Sequence, residues 1–546
     1  MDPESFNLFY LDDGILCGDI TTVAAGLRLV SERASTLGLK LKLSKCELIL
    51  TAGHSSADLA TLFPQELLVD ELGNDRVVRG GGFEFLGAPI GTNEFCHQHA
   101  NDRVTKATKL LEAIGNLPDP QVGLRLIRSC AGFCRLVYSA RVVFPGAHVA
   151  ALHSFDTVVR DTLDELTGLC LTDRQWRQAA RSFRTGGLGL RSGERHAACA
   201  YVASRAATHA KCKEIDPMFV WDIGTDGSEC ARAFSALTSA LPPNSVPSTD
   251  DPRLASQRFL SRLLDEAELD SQLASADAAE AANLRSETLW GASGFLTALP
   301  SKVLGLAMPP GEFIEEIKVR LWVATYPSDH FCPLCDMVSD RFGLHSRRCT
   351  HGGDLTACHH SARNQVCRFA DSGGYNPTPE QSHLLPPRPD DPTANNLRRP
   401  ADVFIPTWVH GSPAAFDLAI TSPQRQDILA QAASETGAAA VDYESRKRQY
   451  LDTEEECQQQ GILFVPLVAE SSGGWGPTAL ATFRRLAKRA GERGGLSATT
   501  KAVLPSFLER VCIAIRSAKA RAVLRRCGPC QWDTSPLDTA AAALVE

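Results

Sequence analysis

Apolar stretches separated by turn residues predict β-hairpins at two places in the chain. The first hairpin runs from Asn7 to Leu11, turns at Asp12-Asp13-Gly14 and returns from Ile15 to Cys17. The second runs from Asp402 to Ile420 and reverses near His410. Both patterns place aspartates beside apolar strand residues, so both hairpins are candidate sites for cation binding and catalysis.

Apolar residues at every third or fourth position predict helices over much of the remaining chain. Residues 98–145 show the clearest pattern, in which a Pro-Asp-Pro break at 118–120 precedes a second helix, Leu124 to Tyr138. Residues 155–206 continue as helices, joined by a tight glycine-rich turn between Arg184 and Arg191. Two further helices and a closing strand are predicted at Glu312 to Trp322, Ala440 to Gln459 and Ile462 to Glu470.

Composition and length limit the class of protein. A chain of 546 residues has room for roughly three or four domains. Its apolar fraction of 44% and charged fraction of 22% are typical of globular proteins. No apolar run approaches the roughly 18 residues that a membrane span needs, and no signal-peptide pattern begins the chain. We therefore expect a soluble, intracellular α+β protein of several domains, with no membrane partner.

The net charge of −8 does not favour nucleic-acid binding, but the charge is unevenly distributed. Between residues 471 and 531 there are twelve Lys and Arg residues against two Glu. This segment is therefore the candidate nucleic-acid contact, and its first cluster is Arg484, Arg485, Lys488 and Arg489. The alternative is an ordinary solvated helix face.

Four residues have the spacing of a zinc site. Cys332-x2-Cys335 places two thiolates on one tight turn, and His345-x3-Cys349 places two further ligands about one helical turn apart. Three thiolates and an imidazole favour Zn²⁺ over harder cations. Four protein ligands leave no open position, so the predicted zinc is structural. The alternative is four unrelated residues in a chain with 18 cysteines.

The second hairpin predicts a hydrolytic site. The midpoint of Asp402 and Asp417 falls at the turn, so their carboxylates should lie opposite or diagonal across the hairpin. Lys447 and Tyr450 follow on a predicted helix face together with Tyr443. Two acids that hold Mg²⁺ and a lysine that orients or deprotonates water form the arrangement of a restriction-like nuclease. A domain with acids merely on its surface is the alternative.

Asp12 and Asp13 at the first hairpin could likewise hold a divalent cation, as nucleotidyl transfer requires. The alternative is an ordinary turn, because Asp-Gly is a common turn pair.

The order of Tyr10 to Asp13, the basic segment Gly38 to Glu47 and the segment Phe83 to Gly91 resembles part of a known family. It is similar to the last third of the palm in reverse transcriptases of non-long-terminal-repeat retrotransposons. There a Tyr-x-Asp-Asp hairpin precedes a basic strand ending in Lys-Cys-Glu and a Phe-Leu-Gly hairpin.

This resemblance implies that Asp12 and Asp13 are catalytic metal ligands and that Lys45 contacts the phosphates of the incoming nucleotide. The family's other metal-binding Asp lies well upstream, and only nine residues precede Tyr10. We therefore expect that this chain alone does not polymerise.

Beyond residue 330 the chain resembles the C-terminal endonuclease of site-specific elements of the same family, which nicks genomic DNA to prime reverse transcription. The resemblance implies catalytic roles for Asp402, Asp417, Lys447 and Tyr450, with RNA template and DNA target as partners and a nuclear location. The family's Arg-His-Asn is replaced by His359-His360-Ser361, which puts any role of that helix in doubt.

The sequence is thus interpreted as the C-terminal part of an RNA-directed DNA polymerase fused to a Mg²⁺-dependent endonuclease. A stand-alone nuclease and a degenerate nucleic-acid-binding remnant are the alternatives. The expected domains are a truncated palm (1–92), a helical thumb and connection (93–240), a linker with an acidic helix (241–290), a helical segment with the zinc knuckle (291–350), a restriction-like nuclease (351–475) and a basic helical tail with an acidic end (476–546).

Overall fold

The computed structural model describes residues 6–50, 56–386, 400–494 and 500–527. Helices dominate these residues and the sheets are small, so the predicted α+β class is confirmed. Among the helices of the described ranges, none combines the length and apolar character needed to cross a bilayer. Lys501 is the second residue of a helix whose first side chains lie outside the description, and the acidic end beyond residue 527 lies outside it entirely.

The first 92 residues contain short strands and helices around a small core that includes Leu59 and Leu67. The predicted first hairpin is present, with Tyr10 paired to Asp13, so its turn is Leu11-Asp12 and Asp13 belongs to the return strand. Lys45 ends a short 3-10 turn and does not lie on a strand. The elements are β1 (Phe6–Tyr10), β2 (Asp13–Cys17), α1 (Ile20–Thr36), β3 (Ile49–Leu50), α2 (Ser56–Leu62), α3 (Gln65–Leu68), β4 (Val78–Arg79), β5 (Gly82–Phe85) and β6 (Ala88–Gly91).

The next 230 residues or so are helical. Their elements are α4 (Asn93–Gly115), α5 (Pro120–Leu126), α6 (Val137–Val142), α7 (Val149–Thr167), α8 (Asp173–Ala180), α9 (Gly193–Ile215), α10 (Glu229–Thr238), α11 (Gln257–Ser275), α12 (Ala278–Glu287), α13 (Gly294–Thr297) and α14 (Pro310–Arg320). In α4 the periodic residues Val104, Ala107, Leu111 and Ile114 are buried, as their spacing predicts.

The predicted continuous helix Leu124 to Tyr138 is wrong. Helix α5 ends at Leu126, a π-helical turn covers Ile127–Ala131, and α6 begins only at Val137. The break has a local cause, because Gly132 leaves the helical conformation and its N–H donates to the carbonyl of Ile127 at 2.6 Å. A Cβ at Gly132 would lie 2.7 Å from that carbonyl oxygen, so only glycine allows this closure.

A four-stranded sheet and six helices form most of the C-terminal part. The elements are β7 (His330–Phe331), β8 (Val338–Ser339), α15 (Asp354–Ser372), β9 (Thr378–Pro379), β10 (Val403–Val409), β11 (Ser412–Thr421), α16 (Leu429–Ser434), α17 (Ala438–Gln449), α18 (Thr453–Gln459), β12 (Leu463–Glu470), α19 (Pro477–Arg493) and α20 (Thr500–Leu524). The strand order is β12-β11-β10-β9, with β11 parallel to β12 and antiparallel to β10.

The predicted basic tail is not an exposed segment in the structure, because its second helix, α20, is packed inside the protein. Helix α20 packs against α13, α14, α15 and α19, and Val511 and Ile515 on it are fully buried. Three of the cations counted toward the tail, Arg516, Lys519 and Arg526, are buried as well. Arg516 and Arg526 pair with acids inside the protein and Lys519 donates to the carbonyl of Arg347, so none of the three belongs to an exposed basic surface. Their charges predict an exposed position on the surface, because sequence spacing does not show which cations have internal partners.

A buried ionic network joins segments that the sequence assigned to different domains. Glu287 on α12 pairs with Arg320 on α14 and with Arg516 on α20. Glu316 on α14 pairs with Arg516 and with Arg347, which precedes Cys349 by two residues. The main helical core also includes residues from α4, from α14 and from α20. The cores therefore cross the predicted boundaries near residues 290, 350 and 475.

Candidate active site

The hairpin of β10 and β11 brings Asp402 and Asp417 together. Val403 pairs with Phe416, and the same register continued by one residue places Asp402 opposite Asp417. Phe416 and Leu418 pack into the core that α15 and α20 share, so Asp417 points to the other side of the strand. The cross-strand arrangement expected from the sequence is thus present.

Asp402 is held by two groups. The backbone N–H of Leu418 donates to its Oδ2 at 2.6 Å, and Nε2 of His359 lies 3.1 Å from the same oxygen. Nε2 also lies 3.3 Å from the carbonyl oxygen of Leu418, so two acceptors surround it and it carries the hydrogen. The imidazole therefore bridges the two strands and orients the carboxylate.

Lys447 is the partner of Asp417. Helix α17 packs on β12 and β11 and carries Nζ of Lys447 to 2.9 Å and 3.1 Å from the two carboxylate oxygens. Both side chains are largely buried, and a cation beside a buried acid offsets part of the cost of its desolvation. The predicted lysine therefore points at the acid pair.

The surroundings separate the pKa values of the two acids. Burial raises the pKa of Asp417 to about 6 despite Lys447, and the charge of Asp402 adds to the rise. Burial also acts on Asp402, but its hydrogen bond and attraction to His359 outweigh it and lower its pKa. Conversely, the hydrogen bond to Asp402 raises the pKa of His359. Burial opposes the charge of Lys447, yet Asp417 outweighs it and raises the pKa of this lysine.

These side chains line one open cleft of about 280 Å³. Its remaining polar lining comes from Tyr443 on α17 and from Lys519 on α20, whose Nζ donates to the carbonyl of Arg347 at 2.8 Å. Two carboxylates, two ammonium groups and an imidazole thus converge on a space large enough for a phosphate group. Mg²⁺ is commonly held by one or two carboxylates with phosphate and water oxygens completing its shell, so these donors fit it.

Tyr450 lies outside this cleft. Helix α17 ends at Gln449, and Leu451 and Asp452 adopt left-handed conformations. The Tyr450 side chain is consequently 68% exposed, whereas Tyr443, one turn before Lys447, lines the cleft. A helical wheel placed both tyrosines on one face because it assumed that the helix continues.

His359 is the site residue that the sequence left in doubt. It stands on α15, some forty residues before Asp402, and its neighbours His360 and Ser361 gave no sign of which histidine points inward. The helical spacing of the buried residues Cys358, Ala362 and Val366 could have indicated part of the answer. It shows which face of the helix packs on the sheet but not which side chain meets an acid.

The acids of the first hairpin stand apart from this cleft. Asp12 and Asp13 are exposed on a two-stranded sheet, and in the described residues no further strand pairs with it. The exposed Lys45 lies in another segment of the same region. In the described residues no third acid lies beside Asp12 and Asp13. The roles of these two acids and of Lys45 therefore stay predictions.

The cations predicted to contact nucleic acid share one surface of α19. Phe483, Leu486 and Ala487 face the core, and the exposed side is formed by Arg484, Arg485, Lys488 and Arg489. Two of them lie over aromatic rings, with Arg484 5.4 Å from the ring centre of Trp290 and Arg485 5.6 Å from that of Trp408. Exposed cations beside flat rings are the components from which single-stranded and duplex backbones are contacted.

The Cys/His cluster has the geometry of a tetrahedral metal site. The ligand atoms of Cys332, Cys335, His345 and Cys349 all lie within 4.8 Å of one another. Sγ of Cys349 lies 3.5 Å from Sγ of Cys335 and 4.0 Å from Sγ of Cys332, and Nε2 of His345 lies 3.2 Å from Sγ of Cys335. Such spacings suit four ligands around one Zn²⁺, so this cluster could bind zinc as the sequence predicted.

The backbone around the cluster forms a zinc-knuckle turn. Strands β7 and β8 pair, and the Cys332 N–H donates to the carbonyl of Met337 at 2.8 Å. Burial opposes the thiolate of Cys332, but the Leu334 N–H and the side chains of His345 and Cys335 outweigh it and lower its pKa to about 6. A thiolate at this one ligand before any cation binds assists the binding of Zn²⁺.

Comparison with known proteins adds no further assignment. No protein-family model matches the chain, and no curated protein matches it. The function is therefore inferred from the geometry of the two sites.

Proposed function

We propose that this protein is a Mg²⁺-dependent DNA endonuclease whose active site is the cleft of Asp402, Asp417 and Lys447. The observation that carries the proposal is the meeting of two carboxylates and a lysine in one open cleft, from a hairpin and a following helix. This is the arrangement that hydrolysis of phosphodiesters by metal-activated water uses.

Each residue has a role that its surroundings support. Asp402 and Asp417 would hold the cation, which polarises the scissile phosphate and lowers the pKa of a bound water. Because its pKa is raised, Lys447 stays an ammonium group. In that form it would orient the attacking water and offset charge on the phosphate; removal of a proton by Lys447 stays the alternative, because a cation held by Asp417 weakens the pairing that raises its pKa. His359 fixes the rotamer of Asp402 as a positioning residue.

The wider proposal is that the chain belongs to a retrotransposon protein whose endonuclease cuts target DNA. It is supported by the resemblance of the motif order and by the exposed cations of α19. RNA and DNA would be its partners, and the nucleus its place of action. Polymerisation by this chain alone is not part of the proposal, because Asp12 and Asp13 have no third acid beside them in the described residues.

Plasmid nicking tests the endonuclease. We expect Mg²⁺-dependent conversion of supercoiled to nicked plasmid, which Asp417→Asn lowers about 100-fold or more, since even outer-shell partners of metal ligands cost 10- to 100-fold. Asp452→Asn is the matched control, because Asp452 is exposed, follows the same helix and has the left-handed backbone that Asn tolerates.

Two results would contradict the proposal. Nicking that persists in Asp417→Asn would remove the cleft as the active site. Salt-dependent DNA binding with no metal-dependent nicking in the wild-type chain would favour the nucleic-acid-binding remnant instead.

A further inference from the structure

A second cavity lies in the helical region, within the segments assigned from sequence to the thumb and connection. It has a volume of about 440 Å³, within the range of small-molecule sites. One wall is the π-helical turn and the segment after it, with Ile127, Phe133 and Val137. The other wall is the glycine-rich turn before α9, with Phe183 and Leu190.

Both walls depend on unusual backbone. Isolated π-helical turns occur often at functional sites, and here the turn is closed by Gly132. In the opposite wall, a Cβ on Gly187 would lie 2.2 Å from the carbonyl oxygen of Arg181. Gly189 has a φ of +77°, and a Cβ there would lie 3.0 Å from the Phe183 ring. The two turns are therefore held in shapes that ordinary helix connections do not need.

The cavity is cationic and has an unsatisfied donor. Of its twelve lining residues two are arginines and none is acidic. Arg128 donates from Nη2 to the carbonyl of Leu296 at 2.6 Å, whereas its buried Nη1 has no hydrogen-bond partner. In the part of the chain that the structure describes, Arg128 forms no ion pair, although Arg191 lies 3.9 Å from Asp265 behind the wall. A largely buried guanidinium without a counter-ion is costly unless an anion supplies one.

The remaining lining suits a flat apolar ring. Arg128 lies over Phe183, 4.6 Å from the ring centre, and Phe133, Val137 and Leu190 complete an apolar floor. Few polar groups are available to distinguish one base from another. A ligand that places an anion at Arg128 and a flat ring on this floor uses both parts of the cavity.

We propose that this cavity binds a nucleotide, with the phosphate at Arg128 and Arg191 and the base against Phe133, Phe183 and Leu190, with little preference among bases. The nucleotide is either free or an unpaired unit of a nucleic-acid strand. The site is separate from the acid cleft and requires no divalent cation.

Cys134 reports occupancy in the unmodified protein. It is exposed and lines the cavity, whereas Cys170 is exposed and does not line it. Alkylation by a maleimide, measured peptide by peptide by mass spectrometry without added divalent cation, gives both rates in one sample. With uridine monophosphate at ten times its Kd, about 90% occupancy should slow alkylation of Cys134 about tenfold and leave Cys170 unchanged.

Variants assign the anion contact. Arg128→Gln should raise the Kd of uridine monophosphate, obtained from the concentration dependence of the protection, at least about tenfold, because a charge-assisted hydrogen bond is lost. Arg135→Gln is the matched control, since Arg135 is exposed next to the cavity but does not line it. Asp417→Asn should keep the protection in full, which separates this site from the proposed nuclease.

The comparison ligands make the proposal falsifiable. Equal protection by inorganic phosphate, by uridine or by octanoate would overturn it, because each lacks one part of a nucleotide. Equal slowing of Cys134 and Cys170, or loss of protection in Asp417→Asn, would overturn it as well. A 5′-phosphorylated oligouridine that protects better than the monomer would identify a strand as the source, and the reverse would identify the free nucleotide; both support the site.

Discussion

Asp402 and Asp417 share one cleft but have opposite electrostatic surroundings. Folding favours the protonated form of Asp417, so its contribution to stability is present below the unfolded pKa of about 3.8 and is lost as the pH rises toward 6. Asp402 acts in the opposite sense, because its stabilisation is present above that unfolded value and is lost as the pH falls through its lowered pKa. At neutral pH both carboxylates are therefore ionised, which is the form that binds a divalent cation.

Binding of Mg²⁺ should consequently depend on pH. Protons compete with the cation for Asp417, whose pKa is about 6. We expect the thermal stabilisation by saturating Mg²⁺ to be large above pH 7, and the apparent affinity to fall about tenfold for one pH unit below 6. Differential scanning fluorimetry of Mg²⁺ titrations between pH 5 and 8 measures this. An affinity independent of pH, or one unchanged in Asp417→Asn, would be inconsistent with cation binding by this acid.

At the scale of elements, the end of a helix determines which aromatic residue reaches the site. Helix α17 stops at Gln449, and the left-handed residues after it turn Tyr450 toward solvent. Tyr443 lies within the helix and lines the cleft beside Lys447. The position of the helix end thus determines which tyrosine lines the cleft.

We expect Tyr443→Phe to lower the rate of plasmid nicking more than Tyr450→Phe does. A hydroxyl that contacts substrate or water in the cleft is worth about 0.5–1.5 kcal/mol, or roughly two- to tenfold in rate. Single-turnover nicking at saturating Mg²⁺ compares the two variants. A larger loss in Tyr450→Phe would mean that substrate binding reorders the end of α17 and would restore the sequence-based assignment.

Helix α20 is held by charges whose numbers do not balance. The buried network contains three arginines and two glutamates, and Arg516 is shared between Glu287 and Glu316. Removing Glu316 leaves three guanidinium groups with one acid, whereas removing Arg516 leaves two separate pairs. The two changes should therefore differ in cost even though they break the same contact.

Glu316→Gln should destabilise the protein by about 3–5 kcal/mol, as unpaired buried charge does. Arg516→Met should cost clearly less, and Arg510→Met, an exposed change on the same helix, about 0.5 kcal/mol or less. Urea denaturation followed by circular dichroism gives the three values. Equal destabilisation by Arg516→Met and Glu316→Gln would show that charge balance does not set the cost of either change.

At the scale of the whole molecule, the Cys/His knuckle from Cys332 to Cys349 connects two cores. Arg347 within it pairs with Glu316 of α14, and its carbonyl accepts from Lys519 of α20. Lys519 also lines the acid cleft, so the knuckle is continuous with the candidate active site. Metal binding at the knuckle should thus influence regions well beyond its own turn.

Cys349→Ser should remove about one equivalent of zinc and increase hydrogen exchange in 310–320 and 502–524, not only in 330–349. The reason is that Arg347 lies two residues before Cys349. Its side chain pairs with Glu316 of α14 and its carbonyl accepts from Lys519 of α20. Elemental analysis and exchange measured by mass spectrometry report the two effects. Exchange confined to the knuckle would show that it unfolds independently, and unchanged metal content would reject the zinc site.

Local sequence patterns were sufficient to predict the hairpins, α4 and the residues of the Cys/His cluster. Alternation, helical spacing and Cys-x2-Cys are short-range signals, and the physics behind them acts within about ten residues. The register of Asp402 and Asp417 does not follow from the turn, because the turn pairs Val409 with Ser412 and an irregularity between Ile405 and Val409 shifts the pairing before it reaches the acids. The hairpins, α4 and the Cys/His cluster could therefore be predicted from the sequence alone.

Contacts between distant segments could not be read in this way. The meeting of His359 with Asp402, the burial of Arg516 and Lys519, and the cavity between the π-helical turn and the glycine-rich turn all join residues far apart in the chain. A charged residue has the same sequence signature whether it faces water or a buried partner. Only the packing of α15, α20 and the sheet determines which environment it meets, because burial and pairing are properties of the assembled fold.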